Sequence, residues 1–320
     1  MMSEYYQQKS MLREYRKIAY YYYKEKLSQA EIASIMNTSR QRINRILQKC
    51  EELGIVKIEI SDPDHDVQFE TRLAGKYKLR EVRIVRPIDD STLIEDIGNA
   101  GAKYLEELMK RGSIIGFSRG RTAAALVNRF LSFSEENWTV TQLMGNSINA
   151  DNRNSANIET DSIVHRFAEK TGATINRLNA PIIVRDKKLK EYLQQEPSFV
   201  RAYHVIKNCD IAVVGIGTVQ IHSDYMREFI SELTDEEVHM FAHDAVGEVC
   251  THFYDAEGNE IGKNLRDRII AIEEKDLKSI PLRIGVAGGK GKTAAIRGAI
   301  YGGYINALVT DTSTAEALLD

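Results

Sequence analysis

The chain has 320 residues, 43% of them hydrophobic, enough for two domains or one large α/β unit, and this excludes global disorder. Three scattered cysteines, Cys50, Cys209 and Cys250, exclude a disulfide framework and fit a reducing cytoplasm, and no uncharged apolar run reaches the roughly 18 residues of a membrane span. The polar start, Met1 to Ser10, has no signal-peptide core, so a soluble, unsecreted, cytoplasmic protein is expected. The formal charge of −3 excludes a uniformly basic nucleic-acid coat, yet it is unevenly spread. Residues 1–57 carry eleven basic side chains against six acidic ones, a head of +5, which leaves −8 for the remainder.

In the head, Leu12, Tyr15, Ile18, Ala19 and Tyr22 recur at three- and four-residue steps and predict a helix over Met11 to Glu25. Ser28 and Glu31 form a capping box that opens a short second helix with Ile32, Ala33 and Met36 inward. Asn37-Thr38-Ser39 makes a turn. A third helix runs from Arg40 to about Leu53 with Ile43, Ile46 and Leu47 inward, and Gly54 stops it. Its outer face carries Arg40, Gln41, Arg42, Asn44, Arg45 and Lys49, preceded by Ser39. Arg bonds guanine bidentately, Gln or Asn bonds adenine, and further cations sit on phosphates, so these seven residues are the expected DNA contacts of a helix-turn-helix. Val56, Ile58 and Ile60 alternate with Lys57 and Glu59 as a strand would, which predicts a wing. Tyr20 to Tyr23 surround a helix and are read as packing rather than a base-stacking platform. Ser61-Asp62-Pro63-Asp64 marks the boundary between a DNA-binding domain, 1–60, and a second domain, 61–320.

Beyond the boundary, short apolar runs alternate with amphipathic stretches: Val82 to Val85, Ile114 to Gly116, Val140 to Leu143, Ile211 to Gly215, Arg283 to Ala287 and Ala307 to Val309. This pattern predicts a doubly wound parallel sheet with a ligand at the carboxyl ends of its strands. Three such ends suit an anion. Ser118, Arg119, Gly120, Arg121 and Thr122 precede a helical stretch, where free amides, hydroxyls and a guanidinium can cradle a phosphate. Gly215-Ile216-Gly217-Thr218 is the second end. The third, Gly288-Gly289-Lys290-Gly291-Lys292-Thr293, is one residue out of register for a nucleotide-binding P-loop, because Val286 stands where that motif needs Gly. Lys292 there can still pair with a phosphate without a metal. Seven histidines show no zinc-protease spacing, and no metal, cofactor or catalytic group is assigned. Glu248 is a candidate partner for sugar hydroxyls.

These residues carry a resemblance. The stretches from Leu27 ("LSQAEIASIMNTSRQRINRILQKCEELGIVKIEI"), Gly116 ("GFSRGRT"), Asp210 ("DIAVVGIGTV"), Ala245 ("AVGEVCTHFYDAEG") and Val286 ("VAGGKGKTAAIRGAIYGGYINALVTDTSTAEALL") are similar to the SorC family of bacterial transcriptional regulators. The resemblance implies a winged helix-turn-helix joined to a domain similar to the glucosamine-phosphate and ribose-phosphate isomerase fold. It implies assembly as a homodimer or homotetramer on double-stranded operator DNA. By motif position it implies that Ser118, Gly120 and Thr122 form a first phosphate loop and Gly215, Gly217 and Thr218 a second. Glu248 becomes a polar-head contact and Lys292 a phosphate partner, and Gly145, in the segment Gln142 to Asn146, is a further expected effector contact. Two departures stand out. Arg119 replaces a frequent aromatic residue and suggests a more anionic ligand, and Met144 stands where imine-forming members place a lysine, which a thioether cannot replace.

The expected function is DNA-binding transcriptional regulation of a carbohydrate-utilisation operon, without catalysis, switched by a phosphorylated sugar or polyol bound in the second domain. The competing class is a sugar-phosphate isomerase or deaminase with an added nucleic-acid module, for which Glu248, Asp244 and His243 are the nearest acid–base candidates. An RNA-binding regulator is a third.

Overall fold

The computed structural model describes residues 2–56, 67–131, 137–146, 157–219 and 233–320, with side chains from residue 11 and not at 263. The wing residues Lys57 to Ile60 and the boundary cluster lie outside the described residues. The chain forms two compact units, Met1–Asp62 and Pro63–Asp320.

The first unit holds three helices, α1 (Met2–Tyr23), α2 (Gln29–Ile35) and α3 (Arg40–Glu52). Helix α1 begins nine residues earlier than the predicted start at Met11, because Met2 to Ser10 is polar and offers no periodic signal. The capping box forms in both directions: Glu31 N donates to Ser28 Oγ and Ser28 N to a Glu31 carboxylate oxygen. Asn37 takes the left-handed conformation, φ 48°, that its short polar side chain tolerates in a turn, and Gly54 stops α3 at φ 66°. Ile18, Ile32 and Ile43, one from each helix, are fully buried together, and Tyr21, Tyr22 and Tyr23 pack on this core.

The second unit is built on strands β1 (Glu81–Val85), β2 (Ile114–Phe117), β3 (Thr139–Gln142), β4 (Thr174–Asn176), β5 (Ile211–Gly215), β6 (Gly247–Val249), β7 (His252–Tyr254), β8 (Glu260–Ile261), β9 (Leu282–Val286) and β10 (Ala307–Asp311). Seven of them pair in parallel in the order β1-β10-β9-β5-β2-β3-β4. Both faces are covered. Ala212, Val214 and Leu308 enter one core, while Ile211, Val213, Ala307 and Val309 enter the other, which is why these strands read as unbroken apolar runs. Strands β6, β7 and β8 form a separate antiparallel sheet, tied to the end of β5 by a bridge between Gly217 and Glu248. Among the described residues no helix is long and apolar enough to cross a membrane.

Candidate functional site

From β2 the chain moves outward to β3 and β4, then returns through β5 and moves the other way to β9 and β10. The strand order therefore reverses between β2 and β5, and the loops leaving their carboxyl ends part to leave a crevice. A cavity of about 350 Å³ opens there. Its lining gathers Arg119, Gly120, Arg121, Thr122, Gly215, Gly217, Thr218, Glu248 and Lys292 from segments up to 173 residues apart in the chain.

Gly120 starts the helix Arg121–Arg129 with φ 145° and ψ 155°, a conformation open in practice only to glycine. Gly120 offers no side-chain cap, so the first-turn amides of this helix, whose start lines the cleft, have no intrahelical partners. Such an end attracts anions through its amides and its dipole. Arg121 is exposed on the cleft wall beside it. Gly215 allows the loops to close, since a Cβ there would lie 3.2 Å from the Arg119 carbonyl oxygen.

Three expectations need correction. Ser118 is buried beneath the cleft rather than on its lining: its hydroxyl accepts from Gly215 N at 2.9 Å and donates to the Arg119 carbonyl at 3.1 Å, which fastens β2 to β5. Arg119 reaches the lining, but its guanidinium is 2.9 Å from the carboxylate of buried Glu159, so its charge is matched within the protein and gives no reason to expect a more anionic ligand. Gly145 is also away from the cleft. It lets the chain pass the Ala180 and Pro181 carbonyls, where a Cβ would collide. Thr122 lines the cleft, but its hydroxyl proton goes to the Val286 carbonyl at 2.6 Å, leaving its amide as the group to offer.

Glu248 is carried by β6. It exchanges backbone hydrogen bonds with Gly217, both at 3.0 Å, and its carboxylate accepts from Thr251 N at 3.0 Å. The turn between β6 and β7 consists of Cys250 and Thr251, both left-handed at φ 49° and 64°, in positions where hairpins usually place Asn and Gly. Tight pairing of β6 with β7 holds these two residues there and so fixes where Glu248 points.

Lys292 stands at the entry to the helix Thr293–Tyr301 and donates to the Ile216 carbonyl at 2.6 Å. Burial pushes its ammonium pKa down, the Arg121 charge lowers it further, and Glu248 opposes both. Lys292, Arg121 and Glu248 thus share one electrostatic environment. The neighbouring Gly289 amide is already taken: it donates to Asp311 Oδ2 at 2.7 Å and to Thr314 Oγ1 at 2.9 Å. Asp311 was not singled out from sequence, yet it caps the last helix and ties the glycine-rich loop to β10. Burial works against its charge, but bonds from Ser313, Thr314 and Gly289 outweigh that and hold its pKa below the ordinary value.

Of the acid–base trio only Glu248 reaches the cleft; His243 and Asp244 are exposed at the end of the helix Asp235–His243. Among the described residues no group of three His, Cys, Asp or Glu is placed to hold a metal.

On the first unit, Arg40, Gln41, Arg42, Asn44, Arg45 and Lys49 are all exposed on α3. Ser39 caps that helix by accepting from Arg42 N at 3.2 Å. Arg42 also pairs with Glu14 of α1 at 3.0 Å, Lys49 with Glu52 at 2.7 Å, and Asn44 accepts from Gln29 at 3.2 Å. Among the described residues Arg40, Gln41 and Arg45 make no such bond, which leaves them available to an outside partner.

A family described as "Putative sugar-binding domain" matches residues 61–320, and the MarR family matches residues 14–65. The deoxyribonucleoside regulator of Bacillus subtilis is 32% identical over 302 residues, covering 93% of this chain and 95% of that protein. The sorbitol operon regulator of Klebsiella pneumoniae is 30% identical, covering 95% and 96%. The crystal structure of the full-length form of that regulator, SorC, superposes with a TM-score of 0.74 at 28% identity, covering 96% of this chain and 99% of that one. With the helix-turn-helix, the parallel α/β sheet and these matches along nearly all its length, the chain belongs to the SorC family of sugar-binding transcriptional regulators.

Proposed function

We propose that residues 61–320 bind a phosphorylated sugar or polyol in the switch-point cleft, and that occupancy changes the affinity of the helix-turn-helix in residues 1–60 for double-stranded operator DNA. The observation that carries this reading is an uncapped helix N-terminus opening into a cleft that also holds Arg121 and Lys292. The phosphate takes the first-turn amides and these two cations, and Glu248 accepts from sugar hydroxyls. Gly215, Gly217 and Thr218 form the second loop of the cleft wall around the ligand. On the first unit, Arg40, Gln41 and Arg45 contact bases or phosphates, with Arg42, Asn44 and Lys49 at the edges of the same surface. The protein acts without catalysis, as a homodimer or homotetramer, and the effector must prefer one quaternary arrangement, because equal affinity for both would shift nothing.

A thermal-shift series with sugar phosphates and their unphosphorylated counterparts tests this. A ligand at about 100 times its Kd stabilises by about 2.7 kcal/mol. Stabilisation by unphosphorylated sugars alone would remove Lys292 and the helix end as a phosphate site, and turnover of the sugar phosphate would make the protein an enzyme.

A further inference from the structure

The switch-point cleft opens into a second, larger hollow of about 1060 Å³ above β1, β10 and β9, with Leu93, Arg121 and Lys292 in the shared wall. A space of 350 Å³ suits a single phosphorylated sugar unit, whereas the outer hollow has room for another unit of that size or more. The two differ in chemistry. The inner cleft offers Arg121, Lys292 and a helix end. The outer hollow sets Arg86 and Lys290 among Asp89, Asp90, Asp311 and Glu316, an excess of carboxylates that disfavours a second anionic group, beside the apolar side chains of Phe69 and Ile88.

Ile88 is 93% exposed, the most exposed of the large hydrophobic side chains among the described residues. It does not sit on a loose loop. Pro87 precedes it, and Asp89 accepts from Ser91 N at 2.8 Å to close a tight turn after it. The chain thus holds an isoleucine in water at the rim of a hollow whose floor offers both hydrogen-bond donors and acceptors. A neutral ring with an apolar C–H face and a hydroxyl edge matches this wall, since the face covers Ile88 and Phe69 while the hydroxyls meet the carboxylates and cations.

We infer that the effector is a phosphorylated disaccharide, its phosphorylated unit in the inner cleft and its second, uncharged sugar ring in the outer hollow against Ile88 and Phe69. This rests on the phosphate reading of the inner cleft given above. Calorimetric titration of the full chain with glucose 6-phosphate and fructose 6-phosphate, and with trehalose, sucrose and cellobiose 6-phosphates, tests it. At least one disaccharide phosphate is expected to bind tenfold or more tightly than either monosaccharide phosphate. Ile88→Asp and Phe69→Ala should each remove that tenfold gain while leaving monosaccharide phosphate affinity within twofold, and Lys292→Met should weaken both classes. If monosaccharide phosphates bind and no disaccharide phosphate binds more tightly, or if Ile88→Asp weakens both classes alike, the inference is overturned and the inner-cleft reading stands. A change of mass in sedimentation with unaltered ligand preference in Ile88→Asp also overturns it, because Ile88 then covers a second copy of the chain. If neither class binds, the reading of the inner cleft falls first.

Discussion

Gly217 and Glu248 bond to each other through their backbones in both directions at 3.0 Å, and the space where Gly217 would carry a Cβ is filled by the Glu248 carboxylate. A methyl group there must push the carboxylate aside, and the end of a flexible side chain yields more readily than a strand. Gly217→Ala is therefore expected to lower sugar-phosphate affinity at least tenfold, about 1.4 kcal/mol, while the thermal midpoint moves by only a few degrees. Unaltered affinity would take Glu248 off the ligand.

Lys292 is a half-buried cation on the cleft wall. Burial and Arg121 both disfavour its charge. Replacing a buried ion by an apolar side chain of similar length is often neutral or stabilising. Lys292→Met should leave the unliganded protein unchanged or about 1 kcal/mol more stable in urea unfolding and should abolish the sugar-phosphate thermal shift. Marked destabilisation would make the Ile216 bond its main role.

Two glycines should respond oppositely to the same substitution. Gly120→Ala forces a side chain into φ 145° and is expected to cost about 1–3 kcal/mol, although a Cβ there finds room. Gly75 lies exposed within the helix Val67–Tyr77 with nothing near its would-be Cβ, so Gly75→Ala should add about 0.5–1 kcal/mol. Denaturant midpoints measure both, and equal effects would deny Gly120 its special backbone role.

Asp311 gives a pH signature. Its pKa in the folded state lies below the ordinary carboxylate value, so its contribution is fully present above about pH 4 and is lost as pH falls through the folded value. Asp311→Asn should cost about 1–3 kcal/mol at pH 7 and flatten the loss of stability below about pH 4. Parallel pH profiles for the two proteins would contradict this.

On α3, Arg45→Ala should weaken operator binding by about 1–3 kcal/mol if it bonds a base, with relaxed preference at one position. Arg42 differs because Glu14 holds it at 3.0 Å. Glu14→Gln should tighten binding to duplexes of any sequence and steepen the salt dependence by about one ion. Weaker binding would mean that Glu14 presents Arg42 to the DNA.

The elements that could be foreseen share one property: their signals are local. The Ser28 cap and its Glu31 partner lie three residues apart, and the central strands are apolar because both faces of the sheet are covered. The start of the helix Arg121–Arg129, just after Gly120, is legible for the same reason. Strand β4 has three residues and a partly exposed face, and β6 to β8 have three, three and two, too short for any alternation to register. The roles of Ser118 and Arg119 depended on Gly215 and Glu159, which lie 97 and 40 residues away, and hydrophobic periodicity carries no information about such partners. Gly145 looked like a ligand-facing glycine because close approach to a backbone demands the same residue as close approach to a phosphate.

Strand β1 pairs along its whole length with β10, joining Glu81–Val85 to Ala307–Asp311, and the side chains of Lys76 and Tyr77 bond the Leu318 carbonyl. The first strand of the sheet thus waits for the last, with more than two hundred residues to be ordered between them. Contacts of such separation form slowly, whereas the three helices ahead of them need only near neighbours. A refolding experiment should therefore recover the burial of the tyrosines on α1 well before the sheet is complete. In kinetic terms the helix-turn-helix matures ahead of the sugar-binding domain that follows it in the chain.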